Sequence, residues 1–523
     1  MSGTSTSVLS HPLPVGPELV IGLVTPVGVD QAHLTSTLID ILSGLHYKSK
    51  IIRLASLLHA FPRYTHLATE PVDKYIREHQ LAGNDFRHTT KRHDAMAILG
   101  MGEIQKERLA ESGDKEKIIH RCAYIIRSLK NPEEVMRLRA VYGNAFFLIG
   151  ASAPAQLRRR FLASRIAESH HEFQLDPFLP VAEQLIQYDQ EEIGEEFGQN
   201  LRNAFHLADA FVDASEVNRL RDSLQRSMEL LFGNTFLTPL RDEYGMFHAR
   251  GAALRSAEPG RQVGAAISSS GGDIIAVGTN EVPKAGGGMY WAGDKPDYRQ
   301  FQAGQDSNDR HKRSLMEDLL RRLKDEGWLH PSKVGMSTRA LADLALDGES
   351  SPQVSEAQLT DLIEFGRAVH AELAAITDAA RRGVSTLGMT MYVTTFPCHL
   401  CAPHIVASGI SRVVYIEPYS KSLAAQLYPD SISVDSAGAT SGTVSFEPFV
   451  GVAPRRYMDL FAALDRKKNG KIVRFSPSEA LPRFEGSPRS YVQSEKVLLE
   501  RLQTIIAAEH LMDVQLELPN VGS

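Results

Sequence analysis

Cysteine is scarce in this chain: three in 523 residues, at positions 122, 398 and 401. That is too few for a disulfide framework. The C-x-x-C spacing of Cys398 and Cys401 reads instead as metal or redox chemistry in a reducing compartment. Long apolar runs are missing too. None approaches the ~20 residues needed to cross a bilayer, so no membrane partner is expected. The opening MSGTSTSVLSHPLPVGPE has no charged segment followed by an apolar one, so it does not read as a secretory signal, and a cytoplasmic location is expected. A basic excess is also absent: 57 Lys and Arg against 63 Asp and Glu leave a formal charge of −6. A protein that grips a long nucleic acid usually carries a basic total or stripe, so the balance favours a small substrate.

At this length, two or three domains are expected, with no difficulty in burying a core. Residues 1–17 read as a flexible tail. From Glu18, apolar β-rich runs (ELVIGLV, KSKIIRLASLL, CAYIIRSL, NAFFLIGAS, DAFVDAS) alternate with helical patterns (DQAHLTSTLIDIL, RHDAMAILGMGEIQKERLAES, PEEVMRLRAVYG, AQLRRRFLASRIAESH, SEVNRLRDSLQRSMELLFG). Such alternation implies a parallel, helix-covered sheet, an α/β domain over about 18–232. A second α/β domain is expected over 237–475. It opens with the helix DEYGMFHARGAALRSA and a hairpin around Gly271-Gly272. A helix LIEFGRAVHAELAAITDAARRG, a strand TMYVTTF, a helix around CHLCAPHIVASG and a strand SRVVYIEP follow, and 330–355 reads as a surface excursion. The tail 476–523 carries an amphipathic helix, YVQSEKVLLERLQTIIAAEH, suited to cap its own chain or to dock on a neighbour.

Two short segments carry chemistry: His370-Ala371-Glu372 and Pro397-Cys398-His399-Leu400-Cys401. Together they match H-x-E…P-C-x-x-C, the signature of zinc deaminases. A catalytic zinc takes three nitrogen or sulfur ligands and keeps one position open for solvent. His370, Cys398 and Cys401 supply the three, for one Zn²⁺ per chain. A helix N-terminus after the C-x-x-C favours the thiolates, and Pro397 suits its start. Glu372, two residues past the histidine and not a ligand, is placed to shuttle a proton. A site that only braces the fold would ordinarily have four ligands, and a second C-x-x-C is absent. His399 and His404 read as bystanders.

Further residues extend the likeness. Arg255-Ser256 with Gln262-Val263-Gly264-Ala265, Gly278-Thr279-Asn280-Glu281-Val282-Pro283, and Glu417-Pro418-Tyr419-Ser420-Lys421-Ser422 resemble motifs of the deoxycytidylate deaminase branch of the cytidine deaminase superfamily. The resemblance implies a three-layer α/β/α fold for the C-terminal domain. It implies a sugar contact from Asn280 and a base-bordering aromatic at Tyr419. Asn280 as a plain turn residue and Tyr419 as ordinary packing are the alternatives. A polyphosphate needs several cations, and Arg255, Lys284, Lys421, Arg455 and Arg456 are the candidates. Gly286-Gly287-Gly288 before Tyr290 and Trp291 reads as a lid or as a plain surface loop.

The strand, turn and helix around Gly22 and Gly28 sit where a nucleotide-binding loop would, but the G-x-x-x-x-G-K-[ST] pattern is not met: Val29 and Asp30 replace the lysine and the hydroxyl residue. A degenerate P-loop, nucleotide-kinase-like fold without kinase activity is expected, with Gly22 and Gly28 as its nucleotide-binding candidates. The run Arg158-Arg159-Arg160 resembles a kinase lid, or forms an exposed basic face. With such a domain fused to a deaminase, the chain resembles bacterial anti-phage dCTP deaminases. YWAGDKPDYRQFQAGQDSNDR and FVGVAPRRYMDLF add to that likeness. The resemblance implies deamination of dCTP and dCMP, and a homo-oligomer is expected; the N-terminal domain is a candidate to sense a nucleotide, a phage-derived regulator or an inhibitory RNA, or only to build the oligomer. The alternatives are a housekeeping dCMP deaminase with a regulatory domain, a nucleic-acid cytidine deaminase, and an active kinase with a vestigial deaminase.

Overall fold

The computed structural model describes residues 14–190, 198–346, 357–419, 421–434, 442–484, 488–509 and 511. Two compact units are present, 1–239 together with 450–523, and 240–449.

The first unit is built on five parallel strands, β1 (Leu19–Val24), β2 (Lys48–Arg53), β3 (Cys122–Arg127), β4 (Phe146–Ser152) and β5 (Ala210–Asp213), in the order 2-3-1-4-5. The central strands read as unbroken apolar runs because helices cover both faces, and β1 is buried along its whole length. Asp30 begins the helix Gln31–Gly44 by accepting from the amides of Ala32 and His33. Asn131 and Glu134 form a capping box on the helix Pro132–Tyr142. KSKIIRLASLL divides into β2 and a short helix, Leu54–Leu57. Two helices were not anticipated, Val72–Thr90 and Leu179–Gln190. Among its buried residues only Ala82 and Phe86 are apolar, beside His79, Gln80, Gly83, Arg87 and Thr90, so its inward face carries little apolar pattern to read.

Of the two glycines proposed for a nucleotide, Gly22 lies inside β1, where a Cβ would meet Leu129, Leu148 and Phe146; packing accounts for it. Gly28 sits in the turn after β1 at φ +91°, against the Arg158 carbonyl. Only glycine adopts that backbone at that approach without strain. Arg158 is buried and bonds the carbonyls of Ala153 and Val27, so the Arg158–Arg160 run is not simply an exposed basic face.

The domain boundary expected near 475 falls at Phe449 instead. Gly451–Val452 adds an antiparallel strand to β5, so the chain returns to the first sheet at once. Likewise, the helix Pro488–Ala508 packs on Ala95–Ser112 and Pro132–Tyr142 of the same unit. It caps its own chain.

The second unit contains β6 (Gly264–Ser268), β7 (Ile274–Thr279), β8 (Thr390–Thr395), β9 (Arg412–Glu417), β10 (Ile432–Val434) and β11 (Val444–Pro448), in the order 10-11-9-8-6-7. β6 pairs antiparallel with both β7 and β8, and the rest of the sheet is parallel. The helix Arg241–Ala253 covers the face bearing Gly264 and Tyr392; the helix Ala371–Arg381 covers the other, with Ala265, Ile267 and Met391. The result is three layers. Asp242 accepts two bonds from Arg412 at 2.8 Å and one from Tyr392, tying the first of these helices to the sheet.

The long helix expected from Leu362 begins only at Ala371. Tertiary bonds hold the preceding segment elsewhere: Asn308 bonds Leu362 and Phe365, Ser307 bonds Phe365, and Val369 bridges to Glu281. In the expected excursion 330–355, the helix Thr338–Leu346 packs Ala342 and Ala345 against Met316; residues 347–356 lie outside the described part.

Gly278 decides how closely β7 meets the helix that follows His370. A Cβ there would run into the Ala371 carbonyl and the Ala375 backbone nitrogen. Gly278→Ala is therefore expected to destabilise the unit by about 1–3 kcal/mol, since backbone cannot yield as a side chain does. Urea unfolding measures it, and an unchanged midpoint would contradict the tight contact.

Candidate active site

His370 is the residue immediately before the helix Ala371–Arg381, in extended backbone, so its side chain stands at the helix N-terminus. Glu372 falls in the first turn and is buried at 4% exposure. Across from them, the chain leaving β8 turns tightly. The amides of Cys401 and Ala402 both bond the Cys398 carbonyl, and Cys401 caps the helix Ala402–Ala407. The expected proline start shifts accordingly: Pro403 occupies the first turn of that helix, while Pro397 precedes the turn.

His370 Nδ1 lies 3.2 Å from Cys398 Sγ and 3.5 Å from Cys401 Sγ. Tetrahedral zinc with ordinary Zn–N and Zn–S bonds would separate such atoms by about 3.6 Å. One ligand atom from each of the three residues falls within 4.8 Å of the others. One imidazole and two thiols are a donor set that suits zinc. His399 and His404 are outside this group.

The charges are mutually dependent. Hydrogen bonds from Cys401 and His370 hold the Cys398 thiol down, to about 4. Cys401, which donates to Cys398 and is buried, is pushed up. His370 rises to about 9, chiefly through its bond to Cys398. Burial, with the Cys398 charge adding to it, pushes Glu372 up to about 7.

The residues proposed around this centre divide. Asn280 is 8% exposed and braces the fold: its Oδ1 accepts from the Val263 amide at 2.7 Å and its Nδ2 donates to the Arg261 carbonyl at 2.7 Å. One amide hydrogen is left for a ligand. Ser256 bonds the Asn280 carbonyl, which gives the Arg255-Ser256…Val263-Gly264 spacing a structural role. Arg255 stacks on Trp291, 3.5 Å from the ring centroid, and donates to the carbonyls of Met289 and Tyr290. It anchors a loop. Lys284 pairs with Asp294 at 3.1 Å. Gly286–Gly288 form a closed turn, with Pro283 bridged to Met289.

Tyr419 is half-buried and Lys421 exposed in the segment after β9. Ser422 ties that segment to the cysteine turn through the Pro397 carbonyl at 2.7 Å. Ser420 lies outside the described residues. Arg455 and Arg456 belong to the first unit, where they pair with Asp209 and Asp459. They were misplaced because the chain leaves the second unit earlier than its pattern suggests.

Two carboxylates were missed. Glu281 is fully buried and bonds the Ala257 amide, and its backbone pairs with Val369, next to His370. Burial raises Glu258, whose charge is felt at His370. Neither belongs to the zinc signature, and nothing in their local spacing marks them.

Residues 240–417 match the family model described as "Cytidine and deoxycytidylate deaminase zinc-binding region". Over those residues the chain is similar to that family's zinc-binding region. Deoxycytidylate deaminase of Enterobacteria phage T2 is 57% identical over 53 residues, which are 10% of this chain and 28% of that protein. ComE operon protein 2 of Bacillus subtilis is 43% identical over 53 residues, with the same coverage of each chain. The chain thus spans a little over a quarter of the length of these relatives. The dCMP deaminase of cyanophage S-TIM5, solved with dCMP and dUMP, aligns at 17% identity and a TM-score of 0.22, covering 40% of this chain and 98% of that one.

Proposed function

We propose that the chain hydrolytically deaminates a free deoxycytidine nucleotide, dCTP or dCMP, to the deoxyuridine nucleotide and ammonia. The observation that carries this is the meeting of His370, Cys398 and Cys401 beside the buried Glu372. The family match over 240–417 supports the same reaction class.

His370, Cys398 and Cys401 would hold the zinc. When bound, it supplies Lewis acidity and lowers the pKa of a water towards neutrality. The chain's own contribution is proton management. Glu372 takes one proton from the attacking water and delivers it to ring N3, then takes the second from the oxygen now on C4 and delivers it to the exocyclic nitrogen. C4–O forms, C4–N breaks, and ammonia leaves. A buried carboxylate, held more basic than one in water by that burial, suits both directions of transfer.

The finer reading is an anti-phage enzyme that drains dCTP and dCMP, working as a homo-oligomer under a regulator. It rests on the two-unit organisation and on the resemblance to such enzymes. The 2-3-1-4-5 parallel sheet, with a glycine turn after its central strand, supports a degenerate P-loop, kinase-like first unit.

The test is a product assay on zinc-loaded protein, with dCTP, dCMP, CTP, cytidine and single-stranded DNA as substrates. Uracil product from the free deoxynucleotides is expected. A zinc chelator should abolish it and added zinc restore it, as for any site whose reaction needs the metal. Turnover of DNA alone would defeat the proposal, and so would chelator-resistant activity.

A further inference from the structure

The sheet of the first unit changes winding direction at β1, whose neighbours are β3 and β4. Crevices at the carboxyl ends of strands beside such a point are where open α/β sheets hold ligands. A cavity of about 470 Å³ lies at this place, lined by the turn after β1, the ends of β2 and β3, and the helices Val72–Thr90 and Ala155–Ser169. That is within the size range of small-molecule sites.

Four arginines line it, and three of them are not ion-paired among the described residues: Arg53 from the end of β2, Arg127 from the end of β3 and Arg165 from the helix Ala155–Ser169. They are close enough that Arg53 and Arg165 both make the charged form of Arg127 less favourable, while burial has the larger effect. None of the three pairs with a carboxylate among the described residues. Arg127 donates to the Gln31 amide oxygen at 3.1 Å, and its buried Nε has no protein acceptor. The Asp30 charge favours the charged form of Arg127 and Glu70 also lines the wall, yet no carboxylate among the described residues pairs with the three; cations gathered without ion pairs are the usual makings of a phosphate site. The other cations on the wall are already used: Lys130 bonds Asp189 at 2.6 Å and Arg87 pairs with Glu134.

A second observation is independent of charge. Gln80, on the helix Val72–Thr90, lines the same cavity and is 7% exposed, yet neither its Nε2 nor its Oε1 has a hydrogen-bond partner among the described residues. A buried carboxamide offers a donor and an acceptor side by side, the complement of the amide edge of a nucleobase. Tyr75 and Phe161 supply aromatic walls.

We propose that this cavity binds a nucleoside 5′-phosphate, with the phosphate held by Arg53, Arg127 and Arg165 and the base edge read by Gln80. The phosphate does not use the helix N-terminus after β1. There the Asp30 carboxylate already takes the Ala32 and His33 amides, at 3.1 and 3.0 Å, and its charge would repel an anion. The site stands on its own unit, so it does not depend on the deamination reading.

The test is calorimetric titration of the full-length, zinc-loaded protein with dTMP, dGMP, AMP and inorganic phosphate. The three nucleotides carry no cytosine, so deamination does not interfere. At least one is expected to bind below 1 mM, about the weak end of metabolite affinities. Arg53→Ala and Arg165→Ala, at exposed positions that cannot unfold the unit, should each weaken it at least tenfold. Gln80→Leu should weaken the nucleotide while leaving inorganic phosphate unchanged. Failure of all three nucleotides to bind would overturn the proposal. So would binding indifferent to the arginine variants, which would place it elsewhere, or phosphate binding as well as every nucleotide.

Discussion

Glu372→Gln is expected to lower turnover by about 10²- to 10⁴-fold, the range supplied by a positioned general acid–base, while zinc content stays at one per chain. The substitution keeps the volume of a side chain that is 4% exposed at the start of the helix Ala371–Arg381, so the His370 backbone has no reason to move. It removes what an amide cannot do, which is to accept the two water protons in turn and release one to N3 and the other to the departing nitrogen. Elemental analysis separates this from a structural effect: a variant that loses metal has lost the site rather than the proton path. Full activity with full zinc would remove Glu372 from the reaction. The contrast with Cys398→Ser is informative. That variant should lose metal and activity together, because a hydroxyl is a far poorer zinc ligand than a thiolate.

What could be read from the sequence was what depends on neighbours in the chain. The buried parallel strands show as apolar runs. The metal group was legible because its residues sit in two short segments whose spacing the chemistry dictates. What could not be read depends on partners far away in sequence. The segment 362–370 has a helical pattern but is held by Ser307, Asn308 and Glu281. Arg255 looked like a phosphate ligand because nothing local shows that Trp291 lies over its guanidinium. The helix Val72–Thr90 was hidden because its buried face mixes His79, Gln80, Arg87 and Thr90 with only two apolar residues, Ala82 and Phe86. The return of 450–523 to the first unit is announced by no composition change, only by the pairing of Gly451–Val452 with β5.

That return is secured by a charge cluster, and breaking it should produce a large loss of stability. Arg108, at 0% exposure, bonds Glu18 at 2.8 Å and Glu495 at 2.6 Å; the two acids are equally buried. Glu18 also accepts from the Ile119 amide and the hydroxyls of Tyr124 and Tyr491. The start of β1, the helix Ala95–Ser112 and the helix Pro488–Ala508 therefore meet at one guanidinium. Arg108→Met strands two carboxylates out of water and is expected to cost about 3–5 kcal/mol. Glu495→Gln should cost much less, because it leaves the neutral Arg108–Glu18 pair with its bidentate bonds. The pH dependence follows from the sign of the shift. Burial already raises Glu495 above the usual carboxylate range, and loss of the arginine removes what opposes that. The folded state of Arg108→Met then binds more protons than the unfolded chain, so its stability falls as pH rises. Urea midpoints of the variant against the parent, taken between pH 5 and pH 8, should diverge with increasing pH. A gap that is constant or closes over that range would mean that the stranded acids do not govern the loss.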